Sequence, residues 1–218
     1  MEGMANLDRI LPPVAPALRQ IMRRVKEDRR ATFEALPPAA DRVVFLGDSI
    51  TEGGMWEEWF PELRTANRGV GGDAVRDVVG RLHSAIHEPA AVSLMVGTND
   101  LHGLGRSSNV ADVATQTREL VGLIRQKAPS APLLINSVLP RSPHFAERIR
   151  ALNERYRSVA DDAKATYVDL WPTMAEPDGS LRRAFTRDGI HLTAAGYQAW
   201  VDVLRPALDG SIGSAGRR

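Results

Sequence analysis

The chain has 218 residues, 43% of them hydrophobic and 25% charged, the proportions of one soluble globular domain with a sizeable core. Its 28 basic and 27 acidic residues leave a formal net charge of +1, which excludes a strong field for nucleic acid or an anionic membrane surface. Cysteine is absent, so disulfides, thiol catalysis and cysteine-held zinc are excluded as well.

Residues 1–13 carry Glu2 and Asp8 and no apolar run of signal-peptide length, and no later window is long enough to span a bilayer. A cytoplasmic location and no membrane insertion are therefore expected. Residues 14–36 place Leu18, Ile21, Met22 and Val25 at helical spacing, among Arg19, Arg23, Arg24, Lys26, Arg29 and Arg30. Glu27, Asp28 and Glu34 dilute that basic run, which reads as a solvated helix face and not as a nucleic-acid site. Pro37-Pro38 ends the helix.

The run Val43-Val44-Phe45-Leu46 suits a strand of a parallel sheet covered on both faces, and Gly47-Asp48-Ser49 stops it, leaving Ser49 at its carboxyl end. A short helix over 56–60 and a weak second strand over 63–67 follow, then Arg68-Gly69-Val70-Gly71-Gly72-Asp73, where the glycines imply positive φ or a close approach. Val75, Val78, Val79, Leu82 and Ile86 form the apolar stripe of one helix, which carries His83 and His87 four residues apart. The third strand, 91–96, ends in Gly97-Thr98-Asn99-Asp100; Asn109 caps a helix with inner face Val110, Val113, Thr117, Leu120, Val121 and Ile124. A fourth strand over 133–139, a helix through Phe145, Ile149, Leu152, Tyr156 and Val159, and a fifth strand over 166–170 complete the alternation. A loop over 171–189 leads to Ile190-His191-Leu192-Thr193, where Thr193 caps a closing helix bearing Tyr197, Trp200, Val201, Leu204 and Leu208.

Five strands alternating with helices predict an α/β fold, a flavodoxin-like three-layer α/β/α sandwich whose parallel strands run in the order 2-1-3-4-5. The expected organisation is a helical extension packed on the domain over 1–40, the domain itself over 41–209 and a flexible tail over 210–218. In that strand order the switch point lies between strands one and three, so Ser49 and Asn99 face one crevice.

A serine hydroxyl there needs a base, and the base needs an orienting group. His83 and His87 have metal-ligand spacing without a third ligand and read as a solvated pair; His144 reads as surface, and His102 as lining the crevice. His191 has Asp188 three residues before it, so one turn is able to aim carboxylate at imidazole, although Asp188 and Thr193 also serve simply to terminate and cap local structure.

Taken jointly, Gly-Asp-Ser at 47–49, Gly-Gly-Asp at 71–73, Gly-Thr-Asn-Asp at 97–100 and Asp-Gly-Ile-His-Leu-Thr at 188–193 resemble the SGNH, or GDSL, serine hydrolases. Within that family the likeness is to the intracellular platelet-activating-factor acetylhydrolase catalytic subunits and related bacterial acetyl esterases. The resemblance implies Ser49 as nucleophile, His191 as base, Asp188 as orienting carboxylate, and an oxyanion hole of the Ser49 N–H, the Gly72 N–H and the Asn99 side-chain amide. Asp48, Asp73 and Asp100 then read as turn and loop formers, and Ile50 stands where the family's name-giving block has leucine. No metal or organic cofactor is expected, and no Gly-x-Ser-x-Gly elbow occurs.

The implied reaction is hydrolysis of short-chain, acetyl-type carboxylic esters through an acyl-serine. Lysophospholipase-like hydrolysis, carbohydrate O-deacetylation and acyl transfer stay open. Ile50, Trp56, Leu101, His102, Leu139 and Ile190 are the expected substrate wall, with Met55 and Phe185 near them. Two rival classes also stand: a nucleotide module using Gly69 to Ala74 ahead of a helix N-terminus, and a noncatalytic binding protein on the same fold. The acetylhydrolase likeness further implies a homodimer, with Ile10, Leu11 and Ile21 as candidate contacts.

Overall fold

The computed structural model describes residues 15–36, 40–102 and 109–213; Ile10, Leu11, the residues after 213 and the side chains of Leu18 and His102 lie outside the described set. Helix α1 (Ala15–Ala35) belongs to one compact unit and everything from Pro37 onward to another. Ile21, Met22 and Val25 on α1 are exposed. Among the described residues, no helix is long and apolar enough to cross a membrane.

In the larger unit, β1 (Val43–Gly47), β2 (Thr65–Gly69), β3 (Ala91–Met95), β4 (Leu133–Asn136) and β5 (Thr166–Val168) form one parallel sheet in the order β2-β1-β3-β4-β5. This is the order expected from the sequence. Strand alternation sends Val44 and Leu46 to one face and Val43 and Phe45 to the other, and both faces are buried, which explains the unbroken apolar run. The first face packs with Val78, Leu120, Ile124 and Ile149, the second with Trp56, Phe60, Trp200 and Leu204.

The helices are α2 (Ser49–Glu52), α3 (Trp56–Trp59), α4 (Val75–Gly80), α5 (Leu82–Ala85), α6 (Val110–Lys127), α7 (Ala146–Asp162), α8 (Trp171–Met174) and α9 (Ala194–Ile212). Asn109 caps α6 by accepting from the Asp112 N–H at 2.9 Å, and Thr193 caps α9 through the Gly196 N–H at 3.4 Å.

Four expectations are corrected. The single helix through Val75 and Ile86 is two, broken at Arg81, whose buried side chain turns inward to Asp73 and the Gly47 carbonyl; His87 consequently lies beyond the end of α5. Strand β4 stops at Asn136, because the Val138 N–H and carbonyl both bond to the Asn153 amide instead of to a neighbouring strand. Helix α9 continues through Ile212, past the tail boundary expected at 209, and the 171–189 loop contains α8.

The register aligns Gly47 with Gly69 on one side and with Met95 on the other. Three loops therefore leave the sheet side by side.

Candidate active site

Gly47 is required by space: a Cβ there would stand 2.1 Å from the Met95 carbonyl oxygen and 2.3 Å from Thr51 Oγ1. The next residue, Asp48, is the N-cap of α2, its carboxylate accepting from the Ile50 N–H at 3.0 Å. Ser49 is thus the first residue of a helical turn and is half-buried at the strand edge. Asp48 is fully buried, and that burial pushes its carboxyl up to about 7; the neighbouring Asp73 and Asp100 push the same way, while the Ile50 N–H and His191 oppose.

The loop before α9 brings its two polar residues to the same point. Asp188 Oδ1 accepts from the backbone N–H groups of Ile190 at 2.9 Å and His191 at 2.8 Å, an Asx turn closed by Gly189 at φ +80°. Its other oxygen, Oδ2, lies 2.6 Å from His191 Nδ1. On the far side of the ring, His191 Nε2 lies 3.0 Å from Ser49 Oγ. A carboxylate at Nδ1 fixes the proton there and leaves Nε2 to accept the Ser49 hydroxyl proton. Desolvation raises the Asp188 carboxyl, but the bonds it accepts from the His191 ring and from the two backbone N–H groups outweigh that and hold it well below the usual carboxylate range. Asp188 and His191 are each 53% exposed at the side chain, so water and substrate reach the site freely.

The β2 and β3 loops complete the arrangement. Gly72 has φ +74°, a conformation that an L side chain rarely adopts, and it follows Gly71 in a loop lying against the serine turn. The Asn99 amide, half-buried in the loop that follows β3, donates to the Asp73 carbonyl at 2.9 Å. Asp73 is itself fixed by a buried 2.6 Å ion pair with Arg81, whose Nη2 reaches the Gly47 carbonyl at 2.9 Å. Asp100 receives the Val75 N–H at 3.1 Å, and burial raises its carboxyl to about 6. Asp48, Asp73 and Asp100 all hold loops in place.

The expected substrate wall needs correction. Ile50, Trp56, Leu101 and Leu139 are each at most 2% exposed and belong to the apolar core, so they offer a substrate almost no surface. Trp56 stacks on Phe45 at 4.0 Å and donates to the Thr51 carbonyl at 2.9 Å, which makes it a support for the serine turn. Ile190 and Phe185 are half-buried and Met55 is 63% exposed. His102 ends the 3-10 turn Asp100–His102. His83, His87 and His144 are exposed.

Several supporting residues escape sequence reasoning. The two amide hydrogens of Asn67 are shared among the carbonyls of Thr51, Glu52 and Gly54, 2.9 to 3.1 Å from its Nδ2, and its Oδ1 accepts from the Gly69 N–H at 2.9 Å. Tyr197 donates to the Ile50 carbonyl at 2.7 Å. Arg141, buried beside Phe145 at 4.4 Å, is lowered to about 10 by desolvation, against the opposing pull of Asp188 and Asp48. The one signal for any of these is that asparagine is a poor strand former, and Asn67 stands in the middle of β2.

The model of the GDSL-like lipase/acylhydrolase family matches residues 45–199. The chain belongs to this family. Curated relatives include the platelet-activating factor acetylhydrolase IB subunit alpha1 of Bos taurus, 31% identical over 166 residues, covering 71% of this chain and 69% of that protein. The alpha2 subunit of Rattus norvegicus is 28% identical, with 71% and 70% covered. Among solved structures, a GDSL-like lipase from Bacteroides thetaiotaomicron superposes with a TM-score of 0.70 at 24% identity, over 85% of this chain and 97% of that one. A lipase/acylhydrolase from Enterococcus faecalis gives 0.66 at 21%, over 77% and 95%, and both share the fold. This GDSL-like protein is a carboxylic ester hydrolase, which sets aside the noncatalytic reading.

The nucleotide reading fails on geometry. The N–H groups at the start of α4 are already held by carboxylates, Ala74 by Asp77 at 3.0 Å and Val75 by Asp100, where a phosphate would need them.

Proposed function

We propose that this enzyme hydrolyses short-chain acyl esters, acetyl esters in particular, through an acyl-enzyme on Ser49. The observation that carries the reading is the continuous chain of contacts from Asp188 through His191 to Ser49 Oγ, at 2.6 and 3.0 Å. In this reading Ser49 Oγ attacks the ester carbonyl carbon as His191 Nε2 takes its proton. The oxyanion of the tetrahedral intermediate accepts from the Ser49 N–H, the Gly72 N–H and the Asn99 amide. Collapse breaks the bond to the alcohol, which leaves with the proton from His191. Water then repeats the sequence on the acyl-serine and releases the acid, His191 passing its proton back to Ser49.

Preference for acetyl is supported by the names of the acetylhydrolase relatives. The natural alcohol is a sugar, a lysophospholipid or a small metabolite. Initial rates on p-nitrophenyl esters from acetate to decanoate, with Ser49→Ala as control, test the assignment. Highest kcat/KM is expected on acetate or propionate; a maximum on long chains overturns the acyl preference, and an active Ser49→Ala overturns the mechanism. The relatives' description as subunits supports a homodimer, for which light scattering at twice the chain mass is the expected result.

A further inference from the structure

Ser49 and Glu52 are the first and last residues of the single turn α2. The Glu52 side chain leaves that turn toward the neighbouring loop, where Oε2 accepts the Gly71 N–H at 2.5 Å. The loop is close: a Cβ on Gly71 would stand 3.2 Å from Glu52 Oε2 and 3.9 Å from Ser49 Cβ. Gly72 comes next, at φ +74°, with no atom within 4 Å of where its Cβ would be.

We propose that Glu52 is a positioning residue: its carboxylate clamps the Gly71-Gly72 loop onto the serine turn and so fixes the Gly72 N–H relative to Ser49. The inference rests on the acyl-serine reading above. Two successive glycines have more conformational freedom than any other dipeptide, so a donor carried on them is accurate only if something restrains it. A carboxylate accepting a backbone N–H is among the stronger restraints available. Its other end is rigid, because the Glu52 N–H bonds to the Asp48 carbonyl at 2.9 Å and the Glu52 carbonyl receives the Asn67 amide at 2.9 Å. Nucleophile and oxyanion donor are thereby parts of one hydrogen-bonded unit although they lie on different strands' loops. What the clamp needs is an acceptor at that position. The negative charge itself opposes an oxyanion nearby, so a neutral acceptor of the same shape serves as well.

The test compares Glu52→Gln and Glu52→Ala on p-nitrophenyl acetate, with thermal unfolding of each and inhibition by ethylboronic acid. Boron accepts the Ser49 Oγ to give a tetrahedral adduct that mimics the intermediate, the hydroxyl proton passing to His191. In Glu52→Ala, kcat is expected to fall about 10- to 100-fold, the scale of a misplaced catalytic group. Boronate affinity should fall by a similar factor, with KM within about 3-fold and Tm little changed. In Glu52→Gln, whose Oε1 still accepts from Gly71, kcat and boronate affinity should stay within about 3-fold of wild type. Unchanged kcat in Glu52→Ala overturns the proposal, as does Glu52→Gln falling as far as Glu52→Ala, or KM and Tm moving together with kcat. Ser49→Ala separates the two levels. If it is inactive while Glu52→Ala is normal, only the clamp fails; if it is active, the acyl-serine reading fails and the clamp with it.

Discussion

Asp48 is a carboxylate with 1% of its surface exposed, directly before Ser49, the proposed nucleophile. Burial holds its folded-state pKa at about 7 against 3.8 for the free side chain. Below pH 3.8 both folded and unfolded chains keep the proton. As pH rises from there to about 7, the unfolded chain has released the proton while the folded chain retains it, so stability is lost across that window and the loss is complete above it. At about 1.4 kcal/mol per pH unit the full loss is about 4 kcal/mol, and the part falling between pH 5 and pH 8 is about 3 kcal/mol. Asp48→Asn removes the titration while keeping an oxygen that accepts the Ile50 N–H, and asparagine is as good an N-cap as aspartate. Asp100 loses stability in the same direction, its carboxyl being raised to about 6, but it is present in both proteins and cancels in the difference. Urea unfolding at pH 5 and pH 8 measures the effect. Relative to wild type, Asp48→Asn should gain about 3 kcal/mol on going from pH 5 to pH 8. A difference between the two proteins that does not change with pH would refute the argument that an ionisable buried carboxyl at this position controls stability.

Other substitutions probe the remaining links. Ser49→Ala should lower kcat on p-nitrophenyl acetate by at least about 10³-fold, and Asp188→Asn by roughly 10² to 10⁴-fold through the wrong histidine tautomer, each with little change in Tm; an Asp188→Asn enzyme of normal activity would show that the Asx turn alone orients His191. Asn67→Ala loses two donated and one accepted bond at about 1 kcal/mol each, so Tm should drop by roughly 5 to 15 °C. A drop under about 2 °C would mean that water replaces the amide at all its partners. Gly69→Ala puts a Cβ 2.1 Å from the Glu52 backbone nitrogen and 2.5 Å from its Cα, which the serine turn must yield to. Roughly 1 to 3 kcal/mol of stability should be lost in urea unfolding, together with most of the esterase activity; wild-type activity in Gly69→Ala would falsify the tight register between β2 and α2.

The sequence by itself determined the layers and the chemistry. Val43 to Leu46 are apolar without interruption, and residues 91–95 are apolar but for the buried Ser93, because both faces of a parallel strand are buried, and that pattern, with helices between, leaves few arrangements other than the observed one. Local chemistry was equally legible where partners are near in the chain: Asp188 and His191 meet through one turn, and Asn109 and Thr193 cap the helices that they precede. Contacts that join distant segments were decided only by the tertiary structure. Ile50, Trp56, Leu101 and Leu139 have the composition of a pocket wall, but whether an apolar side chain faces a cleft or the core depends on the packing above it, and here all four face the core. Asn67 and Glu52 carry no pattern of their own, and become supports of the serine turn only because the aligned ends of β1 and β2 lay one loop against the other. Apolar periodicity is written residue by residue, whereas a hydrogen bond between loops depends on the register of the strands that carry them, which the fold supplies.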